Sequence, residues 1–583
     1  MTEAESPFHM RFSLPYALRD GLRLLPALAL LHGGAVAAPS IHPGYQASSL
    51  LPAGFQPSVG GLAWWPDGRL AVLTMLIKDH DHVAGPSDLF LLGNVLNGNP
   101  GAITLKKYAT GFHIPLGLEV VDGKAYVLDN RDGLYRMDPI EGKSDTARLV
   151  LVTDKGVKGS DRKWAAGFGY NKADGHFYVG IGVYMVPGGT DGSPQPANRG
   201  TIVKVSKDGS TFEPIVGGLR QPNGIAFDSN GELFTSDNQG SWLPAGKVLW
   251  GKPNTFYGHP ETPLSNLPVT PPTLWIPYGD MGNSPSQMVE LRDGPYAGQF
   301  LMGEVTGRFL MRVGLEKVGG AWQGVCFKHS WEFPSGPNRL LMASDGSIIV
   351  GSAGGNGGWV SSDQYWDLQR LAPTGTVPFE PLMIRSKGPN ALEVEFTKPV
   401  AASVSAANFR LSQWDYTPTS AYGGPKTNSS APTVGAVSLS GDGKRATLTV
   451  SGLKEKFVVS VTLLNLKSAA GESPWVNVGY YTQNKFGPGT DHALGGSVPI
   501  HASPEARARD WSVRAGAAGT LRVRAPGSGR FTFVLSDARG RTIARGAGQA
   551  GIPLDLGTRV RGGLCFWEGR GPAGAARGKL ILP

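Results

Sequence analysis

Between about residue 60 and residue 370 the chain alternates short apolar and polar positions, and six times such a run folds back on a second one across a turn built on Asp-Gly or a close relative. The copies are GLAWWPDGRLAVLT at Gly61, LGLEVVDGKAYVLD at Leu116, GFGYNKADGHFYVGIG at Gly167, NGIAFDSNGELFTSD at Asn223, a diverged SQMVELRDGPYAGQFLMGEV at Ser286, and NRLLMASDGSIIVGS at Asn338. Each carries β-branched and aromatic residues on either side of a turn whose glycine can take φ > 0, as hairpin turns require. The turn glycines Gly68, Gly123, Gly175, Gly231, Gly298 and Gly346 are 55, 52, 56, 67 and 48 residues apart. A step near ~50 residues is the length of one propeller blade. An array of separate sandwiches competes with this arrangement but would not place one similar hairpin at every such step. The pattern predicts an all-β chain with a six-bladed β-propeller over residues 50–372.

After Trp366 and Leu368 the hairpin repeat stops, and APTGTVPFEP reads as a linker. Residues 380–485 hold strands such as ALEVEFTKPV, ATLTVSGL and FVVSVTLLNL between Gly- and Ser-rich turns, which predicts an immunoglobulin-like or fibronectin-like β-sandwich. A second linker, residues 486–500, leads to a last β-sandwich module, 501–583. At the other end, Arg19 and Arg23 precede the apolar run LLPALALLHGGAVAAPS, which closes on small residues at Ala35 to Ala38. That is the pattern of a signal peptide over residues 1–38, and it predicts a secreted protein, extracellular, at the outer cell surface or periplasmic. No later segment approaches ~18 uninterrupted apolar residues, so no integral membrane span is expected.

Charge changes the picture only once it is mapped. The formal charge of +9 belongs to residues 501–583, which hold 13 Arg and one Lys against five acids, while the remainder balances at 41 basic and 41 acidic. No basic stripe with interleaved aromatics crosses the propeller, which argues against nucleic-acid binding. The terminal arginines alternate with apolar strand positions, as on a solvated sheet face. Cys326 and Cys565 fall in different predicted domains and form no spaced metal pair, so free buried thiols are expected and a disulfide would require docking of those domains.

Residues just before the innermost strand of each blade meet on one rim although ~50 residues separate them in sequence. Here they are His113, Lys163 with Trp164, Arg220 with Gln221 and Asn223, Asn283 with Ser284, and Asn338 with Arg339. Two arginines and several amides suit a carboxylate or sugar hydroxyls. Equally, such positions need polar side chains to satisfy channel-facing backbone and water. After the fourth repeat, Asp237, Asn238, Gln239 and Gly240 offer oxygens to a hard cation such as Ca²⁺, or cap a turn; the spacing is not that of an EF-hand. The run Asp79, His80, Asp81, His82 suits a transition metal or a solvated loop.

The stretch LRQPNGIAFDSNGELFTSDNQG, followed by FYGHP, resembles the soluble quinoprotein glucose and sorbosone dehydrogenases. In that family the neighbourhood reads Arg-Asn-Pro-Gln-Gly, then Glu-Gln-Gly-Pro, then Asn-Tyr-Gly-Trp-Pro, on a six-bladed propeller carrying pyrroloquinoline quinone (PQQ). The resemblance covers roughly residues 55–372. It implies an oxidoreductase acting on a sugar or alcohol, with Arg220, Gln221, Asn223 and Arg339 about the quinone and a Ca²⁺ at Asp237, Asn238, Gln239 and Gly240. The family's catalytic histidine corresponds to Lys163-Trp164 here, and its cofactor-contacting lysine to Thr306. Tryptophan cannot abstract a proton, so a base must come from elsewhere, and His113 is the rim histidine to nominate. The sandwich ending in GYYTQN at Gly479 resembles domains that follow such propellers in large secreted bacterial proteins, and the last module resembles secretion-sorting domains. The alternative is a non-catalytic extracellular propeller that binds a glycan or peptide on its arginine-lined rim.

Overall fold

All six turn glycines adopt positive φ, from 74° at Gly175 to 86° at Gly68, and each joins the two innermost strands of one antiparallel sheet. The hairpins are Val59–Trp64 with Leu70–Thr74, Pro115–Val121 with Lys124–Asp129, Lys163–Asn171 with His176–Tyr184, Gly224–Phe227 with Leu233–Asp237, Pro285–Glu290 with Phe300–Glu304, and Gly336–Met342 with Ile348–Ala353. Two further strands follow in each sheet, with Thr255–Phe256 added as a fifth in blade three, giving six blades of a β-propeller. This computed structural model describes residues 39–75, 87–140, 143–155, 157, 163–186, 190–354, 362, 364–491 and seven strands between 512 and 582. The leader expected over 1–38 and the run Asp79 to His82 lie outside the described residues. Among those residues no helix is long and apolar enough to cross a membrane.

Six apolar clusters hold the ring, one between each pair of neighbouring blades. Leu62, Leu70 and Ile349 join blades six and one, Leu118 and Ala63 one and two, and Phe168 and Leu128 two and three. Ile225 and Ile202 join three and four, Phe234 and Phe300 four and five, and Leu301 and Leu340 five and six. Near the axis the backbones approach so closely that a side chain cannot intervene. A Cβ on Gly60 would lie 1.9 Å from the Pro115 carbonyl oxygen, and one on Gly224 would lie 2.2 Å from that of Ser286. The ring closes with a strand from outside the repeat: Tyr45–Ser49, ahead of residue 50, pairs antiparallel with Trp366–Pro373 as the outer strand of blade six.

The following sandwich is not a bead on a linker. The outer strand of blade five, Ala321–Ser330, pairs antiparallel with Val478–Gln483, so one sandwich sheet continues that blade. Val325 and Phe327 of the blade thereby enter the sandwich core beside Phe379, Leu392, Leu448, Val459 and Tyr481. The second sheet consists of Pro381–Gly388, Ala391–Phe396, Arg445–Ser451 and Thr433–Leu439. Thr490–Asp491, inside the expected second linker, pairs with Glu316 and Lys317 of blade five. The last module has a three-stranded and a four-stranded sheet. Cys326 is a buried free thiol, and burial pushes its pKa far above the usual thiol range. The side chain of Cys565 lies outside the described residues.

Candidate functional site

Three blades end their second strand on a carboxylate, and these acids shape the rim. Asp129 accepts backbone N–H bonds from His113 (2.7 Å), Ile114 (3.2 Å) and Arg131 (3.1 Å). Asp237 accepts from the backbone of Arg220 (3.2 Å) and Gln221 (2.7 Å). Glu304 accepts from Asn283 (2.9 Å) and Ser284 (2.5 Å), and burial pushes its pKa up against those donors. Each acid fixes the chain entering the inner strand of its own blade, so the rim residues are aimed by the fold itself. The signal lay in the repeats, whose second strands run to Leu-Asp, Ser-Asp and Gly-Glu.

The cation-binding set of blade four takes a different form from the one the sequence suggested. Lys247, fully buried, reaches Asp237 Oδ2 at 2.9 Å and the Asn238 carbonyl at 3.0 Å. Its ammonium occupies the oxygens that a metal would use, so Asp237 is a neutralised cap here and not an open ligand. Burial pulls the Lys247 pKa down while Asp237 pulls it back up. The Gly240 N–H is bonded to the Leu243 carbonyl, closing the same turn.

Arg339 does not face a ligand either. Its Nε donates to the carbonyl of Gly60 (2.9 Å), Nη2 to those of Leu116 (2.6 Å) and Ala166 (3.0 Å), and Nη1 to Asn338 O (2.9 Å) and Asn223 Oδ1 (3.0 Å). Five N–H donors therefore tie together blades one, two, three, four and six across the channel. Burial pushes its pKa down to about 9, so it stays charged at neutrality. Each carbonyl stripped of its donor would cost about 1–3 kcal/mol, which makes Arg339 a staple of the ring. Asn223 belongs to the same knot, donating from Nδ2 to Asn338 Oδ1 at 3.1 Å.

Arg220 is half of a buried pair. Its Nε meets Asp191 Oδ1 at 3.1 Å, and the ring of Tyr422, from the sandwich, covers its guanidinium at 5.1 Å. Asp191 also accepts the Ser241 N–H at 2.7 Å and stands 3.7 Å from His259 Nε2, whose pKa burial lowers. Around this pair three amide oxygens are buried without a hydrogen-bond partner among the described residues: Gln221 Oε1, Asn238 Oδ1 and Gln239 Oε1. The NH₂ groups of the last two face the neighbouring blade, with Asn238 Nδ2 donating to Ser284 Oγ at 3.3 Å and Gln239 Nε2 donating to Asn283 Oδ1. Thr306 Oγ1 donates to Ser284 Oγ at 3.0 Å.

On the opposite arc Trp164 is buried among Met75, Ile114, Leu116, Ala166 and Ala353, an apolar plug with no proton-accepting group. His113, from the entry to blade two, has a side chain that stays 43 % exposed, its Nδ1 hydrogen-bonded to Asp132. Ligating atoms of His113, Asp129 and Asp132 lie within 4.8 Å of one another. The resemblance thus meets a rim whose cations do not fit the quinone and Ca²⁺ it implies: Arg339 has no donor left, Arg220 is paired and covered, and Lys247 holds Asp237 Oδ2 and the Asn238 carbonyl, two of the oxygens a metal would use. Sequence reasoning missed Asp191, Lys247 and Tyr422, which come from a loop, a third strand and another domain.

No family model matches the chain, and no curated protein matches it. Solved structures with a similar course include three propellers described for sugars. One is a protein assigned as an oxidoreductase (glucose dehydrogenase) from Thermus thermophilus, at 18% identity, covering 56% of this chain and 100% of that one with a TM-score of 0.40. A PQQ-bound aldose sugar dehydrogenase from Streptomyces coelicolor shares 18% identity over 57% of this chain and 99% of its own, TM-score 0.39. The PQQ domain of a pyranose dehydrogenase from Coprinopsis cinerea shares 13% over 57% and 97%, TM-score 0.39. At such identities and scores these likenesses carry no chemistry to this chain.

Proposed function

We propose that the rim over blades three to five binds a neutral carbohydrate through its hydroxyl groups, without a resident quinone, on a protein exported by its leader. The observation that carries this is the set of amide oxygens of Gln221, Asn238 and Gln239, which lack donors among the described residues although they are closed off from solvent, so that the O–H donors of a sugar would reach them once these side chains turn outward. Charge agrees, since Arg220 is balanced by Asp191 and Lys247 by Asp237, so neither cation is left over for an anionic ligand. Titration calorimetry of the purified protein with neutral mono- and oligosaccharides tests it. Gln239→Met should weaken the binding by about tenfold, the worth of one hydrogen bond of roughly 1.4 kcal/mol. Unchanged affinity in that variant, or no binding of any saccharide, would refute the proposal.

A second reading, sugar oxidation, is favoured by one observation. With Nδ1 turned to Asp132, His113 Nε2 has no hydrogen bond among the described residues, the arrangement of a base oriented by a carboxylate. Saccharide-dependent dye reduction that His113→Ala abolishes would establish it, and binding with no such reduction would leave the protein a binder.

A further inference from the structure

The sandwich reaches back over the rim in a way that neither the blade repeat nor the linker announces. Its loop after Phe409–Tyr416 pairs backbone to backbone with the blade-four turn: Trp242 N–H to the Thr419 carbonyl (2.7 Å), Gly423 N–H to Gly240 (3.0 Å) and Gly424 N–H to Pro244 (3.0 Å). Ser241 and Tyr422 form a β-bridge there. The contact is tight enough that a Cβ on Gly424 would lie 2.8 Å from Pro244 Cβ. Lys426 pairs with Asp280, and Trp275 packs on Tyr416 with ring centroids 5.0 Å apart, so the loop is anchored on both sides.

What the loop brings is an aromatic surface beside the polar site. Tyr422 is 43 % exposed, Tyr278 59 % and Trp242 37 %, three of the few large hydrophobic side chains left in water among the described residues. Partial burial, with Asp191 and Tyr278 nearby, raises the Tyr422 pKa against the pull of Arg220. Trp242 is held at φ +67°, a left-handed conformation rare for a bulky residue, and so is presented outward at a conformational cost of order 1–3 kcal/mol. Flat exposed rings stack on the apolar faces of pyranose rings, while buried amide oxygens take their hydroxyls.

We infer that the binding site is shared between the two domains and takes an extended oligosaccharide, one residue at the amide oxygens of blade four and the next stacked on Tyr422, Tyr278 and Trp242; this rests on the carbohydrate reading above. Tyr422 is then a specificity residue that the sandwich contributes to the propeller. The experiment compares glucose with cellohexaose and maltohexaose by calorimetry on the full chain. At least one hexasaccharide should bind tenfold or more tightly than the monosaccharide. Tyr278→Ala, at the highly exposed ring away from Arg220, should erase that chain-length preference while leaving the monosaccharide affinity within twofold; Tyr422→Ala should erase the preference too, and Tyr422→Phe should keep it. A wild type with no chain-length preference, or a preference that survives both alanine variants, overturns the shared site even if glucose binds. Failure of every saccharide to bind overturns the carbohydrate reading as well.

Discussion

Lys247 places an ammonium among oxygens that the resemblance assigns to a bound ion. Its ammonium sits 2.9 Å from Asp237 Oδ2 with both residues out of contact with water, and the same carboxylate fixes the backbone of Arg220 and Gln221. Removing one partner of a buried pair leaves an uncompensated charge and costs about 3–5 kcal/mol. Lys247→Ala should therefore lower the melting temperature, and millimolar Ca²⁺ should restore part of the loss by entering the vacated oxygens of Asp237 and Asn238. The wild type should melt at the same temperature with Ca²⁺ or with chelator. A wild-type melting point that rises with Ca²⁺ as much as the variant's would show that the lysine does not stand in for the ion. Arg339 is the other residue of this kind, a cation whose donors all serve the scaffold.

The hairpins were legible because a blade's inner pair is a local structure: alternation sets the faces and a φ > 0 glycine sets the turn, both within about 15 residues. Their spacing then implied the ring. The strand Tyr45–Ser49 was not legible, because its apolar pattern is weak and its partner Trp366–Pro373 lies over 300 residues away. The fusion of blade five with the sandwich was hidden for the same reason, since Ala321–Ser330 reads equally well as an outer edge or as an inner strand of a longer sheet. At the site, the repeat placed Arg220 and Gln221 on one rim, while Asn238 and Gln239 were read separately, as cation ligands or a turn cap. It could not say which were engaged, because Asp191, Lys247 and Tyr422 arrive from elements whose sequence carries no sign of where they end.

Across the whole molecule the propeller, the N-terminal strand and the sandwich meet at a buried ionisable knot. His42 and His329 stack with centroids 4.3 Å apart, and His42 Nε2 meets Glu380 at 3.1 Å. Arg312 stands 3.7 Å from Glu380, Tyr296 donates to the same carboxylate, and Tyr45 packs on His329. Burial, with the charges of His42 and Arg312, holds the His329 pKa well below its ordinary 6.5. The folded ring thus stays neutral where the unfolded one takes up a proton, so stability is lost as pH falls below about 6.5, by roughly 1 kcal/mol per further pH unit while folded His329 remains neutral. Asp367 and Glu119, raised to about 7 by burial, act in the opposite sense, their contribution fading as pH rises toward 7. The difference between wild type and His329→Phe isolates the histidine: denaturant midpoints measured at pH 7.5 and 5.0 should converge on acidification, and a constant gap would refute this assignment.

The proposed rim takes hydroxyl groups, while Arg220, Asn223 and Arg339, which the resemblance assigns to a quinone, are already engaged by the protein. Titrating the full chain with PQQ and millimolar Ca²⁺, followed by desalting, absorbance and saccharide-dependent dye reduction, tests it most directly. No quinone retained, no dye reduced and an unaltered saccharide affinity is the predicted result. One equivalent of quinone retained, with dye reduction that follows added aldose, would contradict it.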